Sequence, residues 1–308
     1  MIYTSRILKI ASLVALIASV ASAQWSGREN ELVIYAFSKQ KFDLQQSPLG
    51  VSNVGKTGFV VQDSSKVAAG PLTSEFPAKR AQILHSEPDD YFALITNLEG
   101  IVSRRQQNLI TTKHLYLDGL LRHANTGSVS TKPLDVTGGL YVPFYPGLTQ
   151  GPDVALEQPR FLLWSPSGTT PPFRAVADDA PSAFGPAGLT GVELEAFSGA
   201  AAFFVQWNPL KKFYPQQSFP QGVDFKLLED DTTLGNRAGL IRFRPGRISG
   251  QLTFTANTHL FVLEGAGVVQ PAGAAATAIP KGFYMFVPAG YSISISNPTP
   301  YSGPGASK

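Results

Sequence analysis

The sequence predicts an almost entirely β protein made of two copies of one unit. Three observations predict it. Short stretches alternate apolar with polar residues. Glycine and proline are plentiful, 29 and 24 in 308 residues, which suits many tight turns. Five short segments recur in the same order at nearly one offset.

The alternation is clearest late in the chain. Ile241-Arg242-Phe243-Arg244, Leu252-Thr253-Phe254-Thr255 and Ser292-Ile293-Ser294-Ile295-Ser296 each read as a strand with one buried and one wetter face. Phe59-Val60-Val61, Phe161-Leu162-Leu163-Trp164 and Phe203-Phe204-Val205 fit more buried strands. Long apolar patterns of helical period are scarce.

The repeat sets the domain plan. Gly58–Gln62 resembles Ala202–Gln206, and Leu94-Ile95 before Gly100 resembles Leu240-Ile241 before Gly246. His114–Leu117 resembles His259–Val262, and Asp118-Gly119 resembles Glu264-Gly265. Tyr141-Val142-Pro143 resembles Phe286-Val287-Pro288. The offsets run from 144 to 146. They divide the chain into a first unit at 58–165 and a second at 200–308. Segment 166–199 reads as a linker rich in proline and glycine. Segment 24–57 is an N-terminal extension with one strand-like run, Leu32–Phe37. The second unit ends soon after Asn297, so this run is expected to supply an edge strand, because an open sheet edge is a liability.

Residues 1–23 read as a signal peptide. Arg6 and Lys9 precede an apolar run at 10–20, and Ala21-Ser22-Ala23 forms a small-residue cleavage box. The run is about half the roughly twenty residues of a membrane span, and no later segment approaches one. The expected location is secreted or periplasmic. Loss of Arg6 and Lys9 lowers the formal charge from +3 by two, to +1. No Lys/Arg cluster of the nucleic-acid kind is present. The chain has no cysteine, so stability rests on its core without disulfides.

Gly282-Phe-Tyr-Met-Phe-Val-Pro288-Ala-Gly290-Tyr-Ser-Ile293-Ser-Ile-Ser-Asn297 resembles the second motif of the cupin family, which runs Gly, five residues, Pro, one, Gly, two, His, three, Asn. Pro245-Gly246 and His259-Leu-Phe-Val-Leu-Glu264-Gly265 resemble its first motif. The repeat extends the likeness to the first unit, as a bicupin. This implies two small jelly-roll β-barrels of the RmlC-like kind. A metal-binding cupin carries a His-x-His pair, a Glu and the motif-two His. Here the last His position is Ile293 and the Glu position is Thr258, with the His-x-His positions near 251–254. In the first unit they fall at Lys113 and near 106–109.

The resemblance therefore implies an exported, metal-free, non-catalytic bicupin that needs no cofactor. It would bind a small organic ligand, a sugar or an aromatic, or serve a structural role. The expected barrel lining is Gln107 and Lys113 in the first unit and Gln251, Thr253, Thr258, Tyr284 and Ile293 in the second. No catalytic residue is assigned. The alternative is a flavonol (quercetin) dioxygenase-like, metal-dependent enzyme. Bicupins also pair through their barrels, which allows a homodimer.

Other features have plainer readings. His114 and His259 stand at matching places in the repeat, and a shared packing or hydrogen-bonding role is expected of both. His85 and His123 read as surface or turn residues. Glu87, Asp89 and Asp90 recur as Glu229, Asp230 and Asp231, either a calcium loop or solvated turns. Arg242 and Arg244 share one strand face. They suit a carboxylate or phosphate ligand if that face lines a barrel, and solvent otherwise.

Overall fold

The computed structural model describes residues 30–48, 50–123, 134–180, 200–201, 205–231 and 235–301. The expected signal peptide and most of the linker lie outside these residues, as does the side chain of His123. The fold is all-β, as the alternation predicts, with one short α-helix at Leu210–Phe213 and one 3-10 turn at Ser64–Lys66 among the described residues.

Two seven-stranded sheets dominate. One runs Ala200–Ala201, Leu140–Phe144, Thr112–Asp118, Arg160–Ser165, Asp90–Asn97, Phe76–Glu87, Ala69–Thr73. The other runs Asn208–Pro209, Val223–Asp230, Arg237–Phe243, Leu32–Ser38, Thr258–Glu264, Phe283–Val287, Val60–Asp63. A four-stranded and a three-stranded sheet complete the first jelly-roll barrel. A five-stranded sheet, with Ile248–Phe254 and Ser292–Ser296 at its middle, completes the second.

Strand alternation sorts the side chains into three cores. In Thr258–Glu264, Leu260 and Val262 enter the second barrel with Ile293 and Met285. Phe261 and Leu263 enter a core shared with Leu94, Leu115 and Leu162 of the first barrel. Tyr116, Phe144 and Phe161 fill the first barrel. The central strands of the two facing sheets therefore bury both faces, which is why Leu32–Ser38 is buried throughout.

That strand corrects the expectation of an edge. Leu32–Ser38 lies in the middle of its sheet, hydrogen-bonded to Arg237–Phe243 and Thr258–Glu264. Arg160–Ser165 holds the same place in the first barrel, between Asp90–Asn97 and Thr112–Asp118. Even the irregularity recurs. The register shifts between Arg160 and Phe161 in one barrel and between Val33 and Ile34 in the other. Beside each shift sits a glycine, Gly119 at φ +75° and Gly265 at φ +78°. A Cβ on either would lie 2.4 Å from a backbone oxygen, of Gln158 or of Glu31. Only glycine satisfies both the dihedral and the contact. The strand that closes the first barrel at its C-terminal end is thus supplied to the second from the N-terminus.

The extension also holds a second strand, Leu44–Gln46, paired with Ile248–Phe254. Val60–Asp63, which opens the first unit, pairs with Phe283–Val287 of the second barrel. Ala200–Ala201 pairs with Leu140–Phe144 of the first. Each unit lends its leading strand to the other barrel.

The registers also correct the repeat in detail. Thr112 faces Phe144 as Thr258 faces Val287. Phe144 therefore matches Val287, and Tyr145, rather than Pro143, stands at the Pro288 position. His114 matches Leu260, and His259 matches Lys113. The two histidines are not counterparts.

Candidate functional site

Gln106 pairs with Gln150 as Leu252 pairs with Ile293. These registers fix the positions that the resemblance assigns to metal ligands. In the first barrel they hold Gln106, Asn108, Thr112 and Gln150. In the second they hold Leu252, Phe254, Thr258 and Ile293. All eight are buried, but the two barrels differ in chemistry.

The second barrel is apolar there. Leu252, Phe254 and Ile293 join its core, and the Thr258 hydroxyl donates to the Ala256 carbonyl at 2.8 Å. The first barrel is polar. Lys79 donates to Gln106 Oε1 at 2.7 Å and to Asp153 Oδ2 at 3.2 Å. Its ammonium also lies 4.9 Å from the Phe173 ring. Burial pulls the Lys79 pKa below the usual amine range, against the opposing charge of Asp153. Asn108 Oδ1, Thr112 Oγ1 and Gln150 Oε1 are buried acceptors without a hydrogen-bond partner among the described residues. Such atoms cost about 1–3 kcal/mol each when left unsatisfied. His114 faces this same interior, 4.5 Å from the Phe144 ring and 4.8 Å from that of Phe161.

These residues do not fit a transition-metal centre. The four positions offer neutral oxygens in place of imidazole and carboxylate, and a lysine ammonium is bonded to one of them. Among the described residues, no group of three His, Asp or Glu side chains converges for a metal.

The expected lining separates into three groups. Thr258 and Ile293 do point into the second barrel. Gln251, Thr253 and Gln107 are half-buried and point outward, because Leu252, Phe254, Gln106 and Asn108 take the inward side. Thr253 bonds the Ser47 and Ser292 hydroxyls, and Gln107 accepts from Arg174 at 2.8 Å. Lys113 and Tyr284 lie between the barrels. The inward position in the first unit is Thr112, one residue before Lys113, because Thr112 faces Phe144 as Thr258 faces Val287. The spacing from Gly100 to Gly119, identical to that from Gly246 to Gly265, carried the correct register.

Between the barrels, one polar bridge is built twice on matching positions. Lys113 donates to Glu229 Oε1 at 2.6 Å, and Tyr141 and Asn236 donate to Glu229 Oε2. In the twin, His259 Nε2 meets Asp90 Oδ1 at 2.9 Å, and His259 Nδ1 meets the Tyr284 hydroxyl at 2.8 Å. Trp164 Nε1 donates to the same Asp90 oxygen at 2.7 Å. Burial alone would raise the Asp90 pKa, but the donors hold it below the usual range. The two acidic loops are therefore dispersed onto cations and donors: Asp89 pairs with Lys39 and Asp230 with Arg237. His85 is half-buried against this bridge, stacked 4.2 Å from Phe286. Arg242 and Arg244 face away from the barrel interior and pair with Asp224.

A groove of about 640 Å³ opens where the two sheets part. Leu94, Leu117, Phe261 and Leu263 form its apolar wall, with Arg160 and Lys281 among its charged residues.

No family sequence model matches the chain, and neither does any curated protein sequence. Solved structures do. Salicylate 1,2-dioxygenase from Pseudaminobacter salicylatoxidans aligns with TM-score 0.55 and 15% identity, over 82% of its own chain and 79% of this one. Oxalate decarboxylase from Bacillus subtilis aligns with TM-score 0.48 and 12% identity, over 73% of its chain and 80% of this one. A cupin 2 conserved barrel domain protein from Leptotrichia buccalis gives 0.41 and 9%, over 92% of its chain and 79% of this one. At such identities the likeness speaks to the fold. The salicylate dioxygenase alignment, with the two jelly rolls, shows that this chain has a two-barrel fold of the cupin type.

Proposed function

We propose that the protein is a non-catalytic binder of a small organic molecule, exported by its leader. In this reading the first barrel is the binding barrel and the second a structural one. One observation carries it. The four positions at the heart of the first barrel are polar and buried, and three of them present acceptor oxygens without partners among the described residues. Their counterparts are Leu252, Phe254, Thr258 and Ile293. Orphaned acceptors call for donors, so a hydroxyl-bearing ligand such as a sugar or phenol suits them. The ring faces of Phe144 and His114 suit either.

Lys79 supports the metal-free part of the reading. A divalent ion beside its ammonium would meet like-charge repulsion at short range. The test is metal analysis of EDTA-dialysed protein, with a thermal-shift panel of simple sugars and phenols. Stabilisation by a panel member in EDTA supports the proposal. Stoichiometric iron, copper, nickel or manganese retained through dialysis would favour a dioxygenase-like enzyme instead.

A further inference from the structure

The groove between the barrels has a twin position on the opposite side of the pseudo-symmetric pair, and in the twin the chain places its own aromatic ring. Asn208 pairs with Phe225 and Pro209 with Asp224. Continued by one residue, that register sets Trp207 opposite Lys226. The same register position in the first unit is Ala69, which pairs with Gln82. Gln82 lines the groove. Gln82 also matches Lys226, since they face Leu94 and Leu240. Where one side of the molecule carries an indole, the other carries a methyl group.

The environments correspond as well. Trp207 packs against the inter-barrel core. The Lys226 ammonium lies 4.8 Å from its ring and the Arg242 guanidinium 4.5 Å. The groove exposes the same core through Leu94, Leu117, Phe261 and Leu263, and it too has two cations at its margin, Arg160 and Lys281. Arg160 is held by Asp118. Lys281 is exposed and has no ion-pair partner among the described residues. A volume near 640 Å³ is within the range of small-molecule sites, about 300–1,000 Å³. Its segment Asp63–Lys66 is pinned in place, with Gln82 Nε2 donating to the carbonyls of Ser64 and Val67 at 2.7 and 2.8 Å.

We infer that this groove binds a free, planar, electron-rich aromatic molecule of one or two fused rings, seated where Trp207 sits in the twin. The ring lies on Leu117 and Phe261. Its face or hydroxyl edge meets Lys281, the kind of cation–ring contact that Trp207 already makes. The site is separate from the first-barrel interior and does not depend on any function proposed for it.

The probe is 2-naphthol, followed by its fluorescence on titration with the full chain. Wild type is expected to bind one equivalent. Ala69→Trp, which installs the missing indole at an exposed strand position, should lower affinity at least tenfold while circular dichroism and Tm stay at wild-type values. Lys281→Ala should weaken binding roughly two- to fivefold. Gln150→Ile removes any naphthol held as a phenol inside the first barrel and should leave the groove's equivalent in place. Absence of binding at millimolar naphthol would overturn the inference. So would binding that Ala69→Trp leaves intact, or binding that Gln150→Ile removes entirely.

Discussion

Asp90 of the first barrel and His259 of the second are joined across the interface, Oδ1 to Nε2, at 2.9 Å. A carboxylate only accepts, so Nε2 donates this bond, and the Tyr284 hydroxyl lies 2.8 Å from Nδ1 on the ring's other side. By register Lys113 and Tyr141 occupy the places of His259 and Tyr284, while Asn236 stands at the place of Asp90 and Glu229 at that of His85. The interface is thus latched at two ends by the same positions with different chemistry. It is a polar frame around a dry core of Tyr35, Leu115, Leu162 and Leu240.

The Lys113–Glu229 latch should behave as a buried pair. The Lys113 side chain is fully buried and that of Glu229 is 13% exposed. Lys113→Met leaves Glu229 uncompensated and is expected to cost about 3 kcal/mol. Lys113→Met with Glu229→Leu should cost clearly less than the two single changes added together. Urea unfolding of the four proteins gives the coupling energy, and strict additivity would refute the pairing.

The other latch predicts acid sensitivity through His85. Burial first, then the charges of His259 and Lys39, pull its pKa below the ordinary histidine value, against Asp90 and Glu87. The folded state therefore prefers neutral His85. Stability is intact above the unfolded pKa near 6.5 and falls as pH drops from there through the lowered folded value. His85→Phe keeps the stack on Phe286 and removes the titration. The stability of wild type relative to His85→Phe should decline from pH 6.5 toward pH 5. A constant difference would exclude His85 as the source.

Lys226 gives the alkaline counterpart. Burial and then Arg242 lower its pKa to about 8. The folded protein releases this proton more readily than the unfolded chain, so stability rises between pH 8 and the unfolded value near 10.5. Its span is at most about 3 kcal/mol. Melting curves of wild type and Lys226→Met should show wild type gaining on the variant from pH 8 to 10. A parallel pair of curves would contradict the shift.

The supplied strand makes the second barrel depend on the N-terminus. Ile34 is fully buried in that barrel. Ile34→Ala should cost about 2–5 kcal/mol. A chain beginning after Gln46 should lose the cooperative unfolding of the second barrel altogether. Retention of wild-type Tm by the shortened chain would overturn the strand assignment.

Much of this architecture was legible in the sequence, and the reason is period two. Ser292–Ser296 and Leu252–Thr255 alternate because one face is apolar, and the repeat survived because both barrels need the same glycines. The position of Leu32–Ser38 was not legible. A strand buried on both faces reads as a plain apolar run, which does not say whether it lies at an edge or in the middle. The first-barrel site was half legible. Its glycine frame was present, but Gln106, Asn108, Thr112 and Gln150 carry no imidazole or carboxylate to draw the eye. Lys79, which completes the cluster, comes from a distant strand that only folding brings near. The bridges combine residues far apart in sequence, and no local pattern marks them.

The account rests most on the polar interior of the first barrel as the ligand site. Gln150→Ile gives that barrel the side chain its twin carries at Ile293. It removes one orphaned acceptor while adding apolar volume already tolerated at the matching place. The measurement is the thermal shift of wild type and Gln150→Ile, in EDTA, with the sugar or phenol that stabilises wild type most. The account predicts a rise of several degrees for wild type and none for the variant. An equal rise in both proteins, or a rise that appears only when a transition metal is added, would contradict it.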